Sequence, residues 1–234
     1  MKALFYYYSD FNFKNITREK YRHLFLLLFW PVYLTLFVLA EKYITPIHTV
    51  YCGLDDLIPF CEFFVIPYVL WYALLAFVSV YTLLFDVTYF KKFYVFLSVT
   101  SIITFAIYIL FPNMQNLRPT EFARDNIFVD IMKNLYEVDT NTNVCPSIHV
   151  IFSIGMLFAL WNSKHFGSAA WRTVSVIVTT LICIATVFLK QHSVIDIFVG
   201  ILLSAAIFPF AFLDLRGKNK KIKKNKFFVD KLSS

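Results

Sequence analysis

Long apolar stretches separated by short polar ones dominate the chain. They cover residues 24–40, 60–85, 93–111, 148–161, 174–189 and 194–213. A helix needs about 20 apolar residues to cross the hydrocarbon core of a bilayer. The fourth and fifth stretches are shorter than that and must borrow flanking residues such as Asn162 and Trp171. In lipid, unpaired backbone groups are costly, and a helix pairs them all within one segment. The pattern therefore predicts an all-α, polytopic membrane protein: a bundle of six transmembrane helices over residues 24–214. It lies between an N-terminal cytoplasmic segment (1–23) and a basic tail (215–234). Pro31 and Pro67 lie inside the first two stretches and are expected to kink them.

Composition agrees. Of 234 residues, 59% are hydrophobic and 20% aromatic, with 28 Phe and 14 Tyr; mean hydropathy is +0.65. Five glycines and the lack of short alternating strands argue against a membrane β-barrel. No compact apolar stretch near the start ends in a small-residue cleavage site, so the first span is expected to do the targeting. The net charge of +7 does not read as a nucleic-acid site, because it gathers at the chain ends and in short loops. Arg18, Lys20 and Arg22 precede the first span, Lys91 and Lys92 separate the second and third, Lys164 and Arg172 separate the fourth and fifth, and "RGKNKKIKKNK" (216–226) follows the sixth. These all fall on one side, which the positive-inside rule makes the cytoplasm. Residues 41–59, the loop 112–147 and the turn "KQH" then face outward. Cys52 and Cys61 flank one outer loop, which makes a disulfide conceivable; no spacing matches a metal motif.

Two histidines stand at the outward ends of spans. In "HSVID", His192 and Asp196 are four apart and share a helix face. A carboxylate there accepts the imidazole Nδ1–H and leaves Nε2 free to attack. The same pair also serves as a satisfied polar contact between helices. In "CPSIHV", Ser147 reads as an N-cap and His149 falls in the first turn, beside the free N–H groups that favour anions. A capped helix with a chance histidine is the plainer alternative. In "NLRPTEFARD", Arg118 has the fork geometry for phosphate, although one loop arginine is also simply solvated. Lys190 is either a further phosphate ligand or an interfacial charge. Together, two histidines, a carboxylate, a helix N-terminus and one or two cations suit in-line attack on phosphorus.

These residues resemble the type-2 phosphatidic acid phosphatase superfamily, over roughly residues 55–213. Its pattern is K-x-x-x-x-x-x-R-P, P-S-G-H and S-R-x-x-x-x-x-H-x-x-x-D. Here "RP" is Arg118–Pro119, "PSIH" carries Ile148 where glycine is usual, and His192 and Asp196 match the third part. Phe111 stands at the family's lysine position, and Ala185 and Thr186 at its Ser-Arg. The resemblance implies six spans and a non-cytoplasmic site. In it His192 is the nucleophile that forms a phosphohistidine, Asp196 orients it, His149 is the acid, and Ser147 and Arg118 bind phosphate. Lys190 stands in for a missing cation. The departures are similar to the inositol-phosphorylceramide and sphingomyelin synthase branch, which moves a phospho-headgroup between lipids.

The expectation is a metal-independent, cofactor-free lipid-phosphate phosphatase of a bacterial plasma membrane, its site facing outward, whose partners are the bilayer and a lipid phosphate, without nucleic acid. A lipid phosphotransferase and a non-catalytic binder or carrier are the alternatives. The charge pattern yields a direct test with cysteines placed at Asn126 and at Ser234 in a background lacking the native cysteines. An impermeant thiol reagent applied to intact cells should label position 126 and spare 234. The reverse pattern would overturn the orientation.

Overall fold

The computed structural model describes residues 8–213; the basic tail 216–226 lies outside them. A 3-10 helix, Arg22–Leu28, leads into α1 (Phe29–Tyr43). A two-residue strand β1 (His48–Thr49) and the single turn α2 (Leu54–Leu57) follow. Then come a 3-10 turn, Glu62–Phe64, and the long helices α3 (Val65–Phe85) and α4 (Val87–Leu110). After β2 (Asn113–Met114) the chain forms α5 (Ile127–Val138), α6 (Ile148–Trp161), α7 (Ala169–Phe188) and α8 (Val194–Phe212). β1 and β2 pair in parallel.

Among the described residues, the regular secondary structure is helical apart from that short pairing. Five helical segments are long and apolar enough to cross a membrane: Arg22–Tyr43, Glu62–Phe85, Val87–Leu110, Ala169–Phe188 and Val194–Phe212. The expected fourth span is the shorter apolar helix α6, of 14 residues. Its brevity goes with its place. It is the central helix, packed against α3, α4, α7 and α8, and much of its length is buried. The long helices turn large apolar side chains outward instead, among them Val38, Ile66, Val80, Ile102 and Phe198. Inside, Ser79, Thr82, Thr100 and Ser204 donate to carbonyls of their own helices at distances of 2.7–2.8 Å. Such back-bonding satisfies buried hydroxyls without help from water.

Side chains stop and start the helices as the sequence suggests. Asp86, Asn126, Ser147, Ser168 and Ser193 cap the N-termini of α4 to α8 in turn. Pro31 and Pro67, expected to kink their spans, are each the third residue of an α-helix, where a missing N–H costs little. The proline inside a helix is Pro209 of α8. The expected loop 112–147 contains α5, an amphipathic helix that buries Val129 and Met132. It is too short and too polar to register as a span.

Both ends of the bundle are tied together. At one, the Tyr8 hydroxyl donates to the Leu83 carbonyl, Tyr81 meets Ser163 and His165, and Lys92 Nζ donates to the Phe212 carbonyl. The basic segments before α1, between α3 and α4, and between α6 and α7 therefore share that end. The other end holds β1, β2, α5 and both histidines of interest. The four cysteines are free thiols, so Cys52 and Cys61 are not bridged.

Candidate active site

His192 lies in the turn between α7 and α8, and almost every polar backbone group of that turn is held. Lys190 adopts a left-handed conformation, φ 53°, which reverses the chain after α7. The amides of Gln191 and His192 both donate to the Thr186 carbonyl, at 2.9 and 3.1 Å. The Leu189 carbonyl accepts from the Tyr136 hydroxyl and the Lys190 carbonyl from Gln115 Nε2. The Ser193 amide donates to Asp196 and the Val194 amide to Asp55. A turn accounted for this completely presents its side chains in one way.

His192 Nδ1 lies 3.1 Å from Asp196 Oδ2, and the Ser193 amide reaches the same oxygen at 3.0 Å. Asp196 has no exposed surface. Ser193 and Asp196 form a reciprocal cap on α8. The other oxygen, Oδ1, has no hydrogen-bond partner. The Cys145 thiol is close by; burial first, and then the Asp196 charge, push it well above its usual range.

His149 is brought to the same place by α6. Ser147 caps that helix, and its amide reaches the Asp196 carbonyl at 3.3 Å. The close approach of α6 to α8 depends on Gly200: a Cβ there would lie 3.2 Å from a Val150 methyl and 3.3 Å from the Ser147 carbonyl oxygen. The loop before α6 is clasped by Asn113, whose Oδ1 accepts from the Val144 and Cys145 amides and whose Nδ2 donates to the Cys145 carbonyl. The rings of His149 and His192 are then 5.7 Å apart between centroids, at 64°. Tyr68 and Trp71 pack on His149 at 4.6 and 4.4 Å. His149 is 8% exposed, and its Nε2 has no hydrogen-bond partner.

Both histidines line a cavity of about 410 Å³ between α1, α3 and the segment 138–144. Trp30, Tyr33, Trp71 and Tyr72 form much of its wall. Leu34 and Val38 of α1 line it too and are exposed on the outer surface, so it reaches the flank of the bundle.

The residues expected to hold phosphate are placed differently. Arg118 donates to the carbonyls of Tyr136 and Asp139 and to Gln191 Oε1, with its guanidinium stacked on the Tyr136 ring. Lys190 Nζ donates to the Asp55 carbonyl at 2.7 Å and lines a separate pocket with Asp55 and Asp56. Ser147 is fully buried as a cap. His192, Asp196 and His149 thus converge, while Arg118, Lys190 and Ser147 support them.

Among the residues that sequence reasoning missed are Gln191 and Asp55. Gln191 lines the cavity beside His192. Because Arg118 takes its Oε1, its Nε2 is left as a buried donor without a partner. Asp55, 2% exposed, accepts from Ser193 Oγ, the Val194 amide and the Cys52 amide at 2.7–2.8 Å. An isolated Gln and an Asp in an acidic loop carry no motif; only a polar residue next to His192 hinted at the first.

No protein-family model matches the chain, and no curated protein or solved structure matches it. Among the described residues, no group of three or more His, Cys, Asp or Glu side chains is arranged to hold a metal ion.

The Asp55 clasp is testable without substrate. Asp55→Ala strands three donors, and a buried unsatisfied group costs about 1–3 kcal/mol. Amide hydrogen exchange at Val194 should accelerate by at least about tenfold, taking 1.4 kcal/mol as a factor of ten, while the α4 amides stay protected. Unchanged protection at Val194 would remove Asp55 from this role.

Proposed function

We propose that the chain is an integral membrane enzyme that cleaves a lipid phosphate ester through a phosphohistidine at the outward end of its bundle. The observation that carries this reading is the convergence of a carboxylate-held histidine and a second, unpartnered histidine on one cavity. In the proposed first step, His192 Nε2 attacks phosphorus as the P–O bond to the leaving alcohol breaks. Asp196 accepts the Nδ1–H and stabilises the positive charge that grows on the ring. His149 gives a proton to the departing oxygen. Gln191 Nε2, oriented by Arg118, donates to a phosphoryl oxygen; one such donor contributes about 10²–10³-fold where charge develops. In the second step the oxygen of a hydroxyl attacks phosphorus as the P–Nε2 bond to His192 breaks, and His149 takes the proton of that hydroxyl. The five long apolar helices with apolar outer faces and the flank-reaching cavity support a bilayer setting and a lipid substrate.

Water as the second nucleophile makes the protein a phosphatase, the reading the motifs suggest. Transfer to an alcohol is the second reading, and the cation placement favours it: Arg118 and Lys190 are engaged by protein oxygens, which leaves little free positive charge for a phosphomonoester dianion. Product analysis with and without acceptor alcohols separates the two.

The division of labour between the histidines provides the test. His192→Ala should abolish turnover and any phosphoprotein trapped by rapid quench. His149→Ala should lose about 10²–10⁴-fold on a lipid alkoxide leaving group and recover much of its rate on an activated aryl phosphate, which leaves without a proton. Equal losses on both would show that His149 binds phosphate instead of donating to the leaving group. A phosphoprotein persisting in His192→Ala would move the nucleophile elsewhere.

A further inference from the structure

Helix α5 is apolar around more of its circumference than the protein covers. Its inner face buries Val129 and Met132, and Met132 and Tyr136 pack with Val65 and Tyr68 of α3 and with Leu189. A second apolar row faces outward. Ile127 and Val138 are 68% and 79% exposed, and Ile131 is exposed between them. At about 100° per residue these three positions fall within roughly 40° of one another, so they form one row along the helix. The charged residues keep to a different side. Asp130, Lys133 and Glu137 are exposed and lie roughly 80–140° round the helix from that row. Lys133 Nζ stands 3.6 Å from Asp130 Oδ1, so the charged side pairs with itself. Uncharged Asn134 borders the row. A helix divided in this way lies in a membrane interface, with one face at the headgroup–acyl boundary and the other in water.

Both ends of the row run into the apolar flank of the bundle. Near its start the Phe128 ring meets the Phe63 ring at 5.4 Å between centroids. Phe63 is exposed, and so is Ile66 at the start of α3. At the other end Val138 lines the cavity together with Leu34 and Val38 of α1, which are also exposed outward. The next residue, Asp139, accepts the Tyr68 hydroxyl on its carboxylate and Arg118 on its carbonyl. The level at which α5 rests therefore sets the level of the cavity rim.

Resting on the bilayer setting proposed above, we propose that α5 is an interfacial helix. Its row of Ile127, Ile131 and Val138 sits in the outer leaflet, with Asp130, Lys133 and Glu137 in water. The partner of this surface is lipid. The seat holds the cavity rim, Val138 and Asp139, at the level of the headgroups.

Spin labels measure this without substrate. Ile127→Cys, Ile131→Cys, Val138→Cys, Lys133→Cys and Glu137→Cys are each labelled with a nitroxide in the full chain, in a background lacking the native cysteines, and placed in phosphatidylcholine nanodiscs. Oxygen concentrates in lipid and a neutral nickel chelate stays in water, so the ratio of their collision rates reports depth. Labels at Ile102→Cys and Phe198→Cys mark the flank of the bundle. The ratio should be severalfold higher at positions 127, 131 and 138 than at 133 and 137. Adding Ile131→Asp should lower it severalfold at the Val138→Cys label. Water-like ratios at all five α5 positions, with positions 102 and 198 still in lipid, would overturn the α5 assignment alone. Water-like ratios at 102 and 198 as well would sink the bilayer setting itself. Poor access of both reagents to the row would overturn the assignment too, because it would show a protein covering that face. A Val138→Cys label unmoved by Ile131→Asp would show that the row does not hold the rim.

Discussion

Asp196 is a carboxylate with no exposed surface, at the mouth of an apolar helix. A charge so placed is costly unless donors meet it. Its donors are the His192 ring and the Ser193 amide, and this one requirement fixes much of the surrounding architecture. Helix α8 has to begin at Ser193. The chain leaving α7 has to reverse within two residues, which the left-handed Lys190 achieves. The turn then needs partners for its remaining polar groups. Asp55, Gln115, Thr186 and Tyr136 supply them from four other parts of the chain. Loss of any one leaves a buried polar group unpaired, so the turn is over-determined, as pre-organised chemistry requires.

The positive side chains follow from the same constraint. In a buried turn rich in carbonyl oxygens, Arg118 and Lys190 gain more by bonding those oxygens than by waiting for a ligand. Arg118 nevertheless reaches the cavity at one remove, because by holding Gln191 Oε1 it turns the amide donor inward. The result is a pocket lined by two histidines and the Gln191 amide donor together with Asp139 and Asn143.

The long apolar helices were legible because apolar length is a one-dimensional signal, and His192 with Asp196 because a four-residue spacing maps onto one helix face. His149 was legible through its cap. The central, buried position of α6 was not, since a short apolar run reads as a weak span until its neighbours are known. Helix α5 was hidden in a loop whose mean polarity masks the spacing of Val129 and Met132. That Pro31 and Pro67 fall in the first α-helical turn was not legible, because a sequence does not mark where that turn begins. Asp55, Asn113 and Asn143 were invisible for another reason: each is an ordinary loop residue, and Asp55 and Asn113 find their partners up to 139 positions away. The same blindness made Arg118 and Lys190 look free.

The central claim is that the buried carboxylate holds His192 as the Nδ1–H tautomer with Nε2 unprotonated and available. Nitrogen-15 NMR of histidine-labelled protein, with the signal assigned through His192→Gln, reads this directly. The account predicts a protonated Nδ1 and a bare Nε2 for His192 at neutral pH, and a shift toward mixed tautomers in Asp196→Asn. A protonated Nε2 with a bare Nδ1 in the unaltered protein, or a tautomer indifferent to Asp196→Asn, would contradict it.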